Sequence, residues 1–366
     1  MVSTSYPASD EDWRGRFIAD LVRSLSLAND ISLSLWAPPG NFPPGVGVAM
    51  LPEESAWIQN LTVAGGVAYL LRNRGLRGLG MIVGLLLRLR RVYLRNRGVD
   101  VVHVNWLQNS LPLWRMDLPA VISVLGSDYG LLRMPGMKML LRLVLSQRKC
   151  ILAPNAEWMA PSLVAAFGDI AEVRPIPFGV NKVWFAVERK FSGEASYPWL
   201  VVSRVTHNKI GDLFDWGEGL FDKQHSLHLL GPMQESLTLP PWVHYEGPTN
   251  PTELREKWFP MAAGLITLSR HDEGRPQVML EAMAAGLPII ASDLLAHRDC
   301  VRNQQTGFLV GSREDFRAAL EYLYSADNNR QMGRAARDWA VQQIGDWEDC
   351  ARKYAAAYRT VARKKA

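Results

Sequence analysis

Cysteine is scarce in this chain. Three of them, Cys150, Cys300 and Cys350, are spread over 366 residues. An odd number without close spacing argues against a disulfide framework or a zinc site and for a reducing compartment. The histidines lack metal-ligand spacing as well, so neither a metal nor a cofactor is expected. Long apolar runs are also missing. The stretch Leu79 to Leu87 falls far short of the roughly 20 residues that a spanning helix needs. The N-terminus opens on polar and acidic residues in place of a basic segment and apolar core, so a signal peptide is not expected. Acid is absent from Tyr69 to Gly98, a segment that holds eight arginines before Asp100.

What is present is the balance of a soluble enzyme, 48% hydrophobic and 21% charged. A chain of 366 residues is too long for one ordinary core and suits two domains. The charge is uneven: residues 1–185 carry 19 basic and 13 acidic side chains, and residues 186–366 carry 22 and 23. The basic excess therefore belongs to the first half.

Short apolar strands alternate with helical patterns, the mark of parallel α/β domains. Strands are expected near 1–5, 31–37, 46–51, 99–105, 119–125, 149–153 and 172–177. A second series follows near 198–203, 226–230, 242–246, 263–268, 287–291 and 307–310. From Trp13 to Leu27, Phe17, Leu21 and Leu25 recur every four residues and form one apolar helix face. Gly, Lys, Phe, Ser and Pro between 180 and 197 mark a linker, and the chain reads as helical from Arg313 onward. The expected division is an N-terminal domain 1–183, a C-terminal domain 184–345 and a returning helix 346–366.

The run Ser269 to Ala291 carries the most chemistry. A strand leads through Glu273, Gly274 and Arg275 into a helix, with Pro276 suited to its first position and Gly286 to its end. Free amides near Gln277 and Val278, with the positive end of the helix dipole, make a site for phosphate. Glu273 precedes the helix, and Glu281 shares a face with Gln277 and Val278, so the two carboxylates can reach hydroxyls of a sugar and a ribose. Earlier, Arg204 ends a strand and Lys209 opens a helix, two cations able to neutralise a leaving diphosphate.

The Glu-x7-Glu run from Glu273 to Glu281, in EGRPQVMLEAMAAGLPIIAS, resembles the donor motif of the retaining GT-B glycosyltransferases of family four. VVSRVTHNKIG and PIPFGVNKVWF are similar to two further segments of that family. The resemblance implies two Rossmann-like domains facing each other across a cleft, with a C-terminal helix crossing back. It implies that Arg204 and Lys209 bind the diphosphate, that Glu281 takes the ribose and that Glu273 takes the transferred sugar. Backbone amides from Gly274 to Val278 would hold donor oxygens, Gly247 would lie near the base, and Gly15-Arg16 would replace a Gly-Gly phosphate loop. The family's His-Gly pair is here Leu125-Gly126, which leaves Ser127, Asp128, His103 or Asn105 to fill the space beside the sugar.

The implied activity is transfer from a UDP- or GDP-sugar to a glycan or lipid-linked glycan, as in bacterial cell-surface polysaccharide or lipopolysaccharide synthesis. Two alternatives are a non-catalytic nucleotide-sugar-binding partner in a polysaccharide assembly and a sugar-nucleotide epimerase. The arginine-rich segment 72–97 is expected to lie on the cytoplasmic face of a membrane, its cations on anionic head groups. The alternative is a plain solvated helix face. Nucleic acid is not expected, since no aromatic interleaving accompanies the charge.

Overall fold

The computed structural model describes residues 1–9, 11–63, 75–126, 128–191, 197–271 and 273–363. The chain forms two units, Met1–Phe178 joined by Trp347–Ala366, and Gly179–Asp346. The first junction falls before the expected 183/184. Trp184 belongs to the core of the second unit, and Val180 bridges Asp346 at that unit's other end.

In the N-terminal unit the strands are β1 (Ser34–Leu35), β2 (Gly47–Val48), β3 (Val102–Asn105), β4 (Ala120–Val124), β5 (Cys150–Pro154) and β6 (Glu172–Val173). All pair in parallel. Val2 bridges both Trp36 and Val104, so the N-terminal stretch lies between β1 and β3. The order is β2, β1, N-terminal stretch, β3, β4, β5, β6. Every residue of β3, β4 and β5 is buried, as expected of parallel strands covered on both faces. The expected strand 1–5 is therefore short, and that at 172–177 narrows to two residues.

Ile18, Leu21, Val22 and Leu25 bury one face of the helix Arg16–Ser26, a spacing of one helical stripe. That helix starts at Gly15, with φ +68°, pressed so closely on Ser5 that an added Cβ would sit 2.5 Å from its Oγ. The final helix, Trp347–Val361, buries Trp347, Cys350, Ala351, Tyr354, Ala357 and Val361 in the same core as Leu21 and Leu25.

His103 and Asn105 are structural in this unit, contrary to the expected place beside a sugar. His103 is 3% exposed and both ring nitrogens are engaged, Nδ1 with Tyr358 Oη at 2.6 Å and Nε2 with Ser123 Oγ at 2.8 Å. Ser123 Oγ also meets Tyr354 Oη at 2.7 Å. Burial, helped by the chain's positive N-terminus, lowers the His103 pKa to about 3, so the ring is neutral. Asn105 is fully buried and donates from Nδ2 to Val2 O at 3.0 Å. Both residues lock the first strand and the last helix onto the sheet.

Trp106, directly after β3, has φ 69° and ψ 131°, a conformation that a bulky residue adopts at a cost of about 1–3 kcal/mol.

The second unit comprises β7 (Trp199–Val202), β8 (Leu227–Leu230), β9 (Val243–Gly247), β10 (Gly264–Thr267), β11 (Ile289–Ser292) and β12 (Gly307–Val310). They form one parallel sheet in the order β12, β11, β10, β7, β8, β9. The helical run after Arg313 breaks at Ser325, which caps the helix Ala326–Trp339, and at Gly345, with φ +74°. Among the described residues no helix is long and apolar enough to cross a membrane.

Candidate active site

In an open parallel sheet a ligand crevice forms where the strand order reverses, outside the strands' carboxyl ends. In the second unit that point lies between β7 and β10. The chain leaves β7 through Ser203 and half-buried Arg204 and enters the short helix His207–Ile210, capped by the Thr206 side chain on the Lys209 amide. It leaves β10 through Ser269 to Pro276 and enters the helix Gln277–Ala284.

These two connections are laced together. The Arg270 amide donates to Asn208 O at 2.8 Å, Ser269 Oγ donates to the same carbonyl at 3.3 Å, and Arg270 Nε reaches Asp212 Oδ2 at 3.0 Å. Gly211, with φ +55°, permits the approach. A Cβ there would fall 1.8 Å from Leu268 O, a position that no side chain can hold.

The lacing brings Lys209 to Glu273, and the Lys209 ammonium donates to Glu273 Oε1 in a largely buried ion pair. Burial alone would raise the Glu273 pKa. The Lys209 charge and hydrogen bond, with smaller pulls from His297 and His271, outweigh it and hold the carboxyl below its usual range. Lys209 and Glu273 thus meet at the switch point.

Beside this pair the helix Gln277–Ala284 begins one residue later than expected, with Pro276 as its N-cap. Met279 and Leu280 donate to the Pro276 carbonyl, which leaves the Gln277 and Val278 amides without an acceptor among the described residues. Met279, Leu280, Ala282, Met283 and Ala284 are buried, so Gln277, Val278 and Glu281 occupy the half-open side together. The helix ends at Gly286, with φ +78°. There the Gly286 amide bonds Met283 O and the Leu287 amide bonds Ala282 O, both at 2.9 Å; this is a Schellman stop.

Arg275 departs from the expected donor contact. Its side chain is 5% exposed and faces Asp299 at 3.6 Å, next to the buried Cys300, whose thiol burial pushes up to about 11. The guanidinium is thus turned into the unit, and only the Arg275 backbone belongs to the loop. Gly274 lies buried in that loop.

Gly247 ends β9 with φ +77° and accepts from the Gly231 amide at 2.8 Å. It is two strands from β7, roughly 10 Å at ~4.8 Å per strand. A neighbour that the sequence did not single out is His297, fully buried on the connection after β11. Its Nδ1 lies 2.7 Å from Ser292 O, which makes Nδ1 the protonated nitrogen. Nothing in the spacing of the sequence ties it to Glu273.

The remaining expected residues lie in the N-terminal unit. Gly15 and Arg16 start the helix after the first strand. Asp128 is 2% exposed and accepts from the Leu107 and Leu125 amides, each at 2.8 Å. Burial raises its pKa to about 6 against those bonds. It therefore clamps the turn at Gly126, with φ +98°, to the connection after β3. Ser127 lies outside the described residues. Among the described residues no group of three or more His, Cys, Asp or Glu could hold a metal.

Residues 216–326 match the family described as Glycosyl transferases group 1. Over 87 residues it is 40% identical to the phosphatidyl-myo-inositol mannosyltransferase of Mycobacterium leprae, a match that covers 23% of this chain and 23% of that protein. The chain thus spans under a quarter of that curated relative's length. Among solved structures it resembles sucrose-phosphate synthase from Thermosynechococcus elongatus, with a TM-score of 0.69 and 17% identity over 98% of this chain and 97% of that one. It also resembles HepE of Anabaena in complex with UDP, with a TM-score of 0.62 and 13% identity over 74% and 82% of the two chains. The two Rossmann-like units are those of a GT-B glycosyltransferase fold.

Proposed function

We propose that the chain is a retaining glycosyltransferase, moving a sugar from a UDP- or GDP-sugar to a glycan or lipid-linked glycan. The observation that carries this reading is the Lys209–Glu273 pair at the switch point, beside the open helix start at Gln277. A diphosphate seated on the Gln277 and Val278 amides gains from the helix dipole. Lys209 and Arg204 supply the cations that stabilise charge as the glycosidic bond breaks. Glu273, held ionised, accepts hydrogen bonds from sugar hydroxyls, and Glu281, on the same face as Gln277, does so from the ribose. The family resemblance implies retention, and a same-face reaction in which the leaving diphosphate takes the acceptor proton would supply it without a covalent sugar intermediate. The chemistry needs neither metal nor cofactor.

A bacterial cell-surface setting is part of this proposal. The relative from Mycobacterium leprae is named for a phosphatidyl-inositol, and a lipid-linked acceptor suits an N-terminal unit that lies on the cytoplasmic face of a membrane. On the helix Gly75–Arg95, Leu79, Val83 and Leu87 stand exposed at four-residue spacing, while Leu85, Leu89 and Val92 are buried. Arg91 continues that stripe and is exposed, while Arg88 lies over Trp57, Arg90 donates to Pro112 O and Arg95 pairs with the buried Glu54; the stripe with Arg91 fits an anionic lipid surface. Flotation with anionic vesicles is expected to carry the protein at low salt and to release it at high salt; no binding at low salt would remove this part of the reading.

Nucleotide release from UDP-glucose and GDP-mannose tests the chemistry. Arg204→Ala and Lys209→Ala are each expected to lower turnover at least a hundredfold. Rates near that of the unaltered protein would exclude the assigned roles.

A further inference from the structure

Three connections of the second unit, those after β7, β10 and β11, are tied together beside the Lys209–Glu273 pair. Ser269 Oγ donates to Asn208 O at 3.3 Å, and Ser292 Oγ donates to Ser269 O at 2.6 Å. His297 completes the chain from the connection after β11, its Nδ1 donating to Ser292 O at 2.7 Å. The backbone of His297 is fixed as well. Its amide donates to Leu294 O at 3.0 Å, and its carbonyl accepts from the Cys300 and Val301 amides at 3.0 and 2.8 Å. The ring is fully buried, and its Nε2 has no hydrogen-bond partner among the described residues. A buried acceptor left without a donor costs stability, so its persistence calls for a use.

The charged groups around this ring come in pairs. Lys209 faces Glu273, and Asp293 is held by Arg298 at 2.5 Å. Arg275, in the loop that holds Glu273, faces Asp299, two residues on from His297. His271 acts on Glu273 from the same loop. Burial lowers the His297 pKa and the Lys209 charge adds to that, while the Ser292 carbonyl, Glu273 and Asp293 pull the other way without overcoming it. The ring is therefore neutral, with Nδ1 carrying the hydrogen and Nε2 bare. The diphosphate of a nucleotide-sugar brings a dianion to this balanced site. Arg204 and the helix-start amides answer part of its charge, and Lys209 must then serve phosphate and Glu273 together.

We propose that His297 is a positioning residue for the donor: as the diphosphate enters, Nε2 takes up a proton, and the imidazolium holds Glu273 ionised while Lys209 turns to the phosphate. The charged form keeps the Nδ1–H bond to Ser292 O and gains the attraction of Glu273 and Asp293, which is stronger in a buried place than in water. No bond of the donor changes in this step. One proton passes from solvent to Nε2 on binding and returns when the spent diphosphate leaves. By linkage, a proton taken up with the donor makes donor binding tighter as pH falls. This rests on the glycosyltransferase reading, since that reading supplies the diphosphate.

Titration calorimetry of the full chain with UDP-glucose and GDP-mannose tests it, run at pH ~6.5, the ordinary histidine value, in PIPES and in imidazole. The phosphates of these donors carry no proton that titrates there, so the difference in heat between the buffers counts protons taken up by the protein. The donor that binds is expected to bring at least about 0.3 proton, and to bind at least about threefold more tightly at pH ~6 than at pH ~8. In His297→Asn, whose side-chain amide can still donate to Ser292 O, both effects should vanish while binding persists. His271→Asn should keep both. Binding without uptake, or uptake that survives His297→Asn or is lost in His271→Asn, overturns this inference alone. No binding of either donor overturns the reading beneath it and this inference with it. Should His297→Asn fail to fold, the ring nitrogen-15 shifts of the unaltered protein decide. His297 must then pass from the neutral Nδ1–H form to imidazolium as donor is added, and a ring that stays neutral counts against the proposal.

Discussion

The two units share one strand order and differ in what stands at the reversal. In the second unit the connections leaving β7 and β10 supply Lys209 and Glu273, an ion pair beside an open helix start. In the first unit the corresponding connections supply Gly15, Phe17 and Trp106, and the nearby titratable groups are used internally. His103 is tied to Ser123 and Tyr358, and Asp128 to two amides. The fold therefore fixes where a ligand can sit, and side chains decide which one. A charged crevice suits a phosphorylated donor.

The contrast can be broken most strongly at the ion pair. Lys209→Ala removes the cation and leaves Glu273 buried without its partner, so turnover should drop at least a hundredfold. In contrast, Lys209→Arg should keep a measurable part of it; nucleotide release reads both. Next comes the packing that makes the pair possible. Gly211→Ala would place a methyl group 1.8 Å from Leu268 O in a left-handed backbone, and is expected to cost about 2–4 kcal/mol in chemical unfolding.

In the N-terminal unit the corresponding test is acid. His103 has its pKa lowered to about 3, below the ordinary value of about 6.5. The unfolded chain thus binds the extra proton first, and stability present above pH ~6.5 is lost as pH falls toward 3. From pH 6.5 to 4.5 the loss from this group should be about 2–3 kcal/mol, and His103→Phe should flatten that part of the curve. The smallest effect is expected at the helix stop. Gly286→Ala, at φ +78°, should lower stability by about 1–2 kcal/mol while donor binding persists, since Gln277 and Val278 lie at the opposite end.

Much of this arrangement is legible in the sequence. The strands of both units follow from short apolar runs between turn residues, because parallel strands buried on both faces must be apolar throughout. Gln277, Val278 and Glu281 are legible as a group because helical spacing sets them on one side, and Glu273 because it lies just before that helix. The Lys209–Glu273 pair is not, since the residues lie 64 positions apart and only the backbone lacing at Asn208 and Gly211 joins them. Arg275 reads as a donor contact from its place in the motif, yet its side chain turns inward to Asp299 across the unit. His103 reads as a satisfied strand-end residue before it reads as a catalyst, but its partner Tyr358, on a helix at the far end of the chain, is not legible from spacing. In each case the deciding partner is remote in sequence, where periodicity carries no information.

The central claim is that the second unit's crevice is a nucleotide-sugar site. A thermal-shift screen of the whole chain against UDP, GDP, ADP and their common sugar conjugates tests it most directly, because a ligand of the native state raises the melting temperature with its concentration. A clear shift is expected with UDP or GDP and with its sugar conjugate, lost in Glu281→Ala. No shift with any of them, or a shift unchanged in both Glu281→Ala and Lys209→Ala, would contradict it.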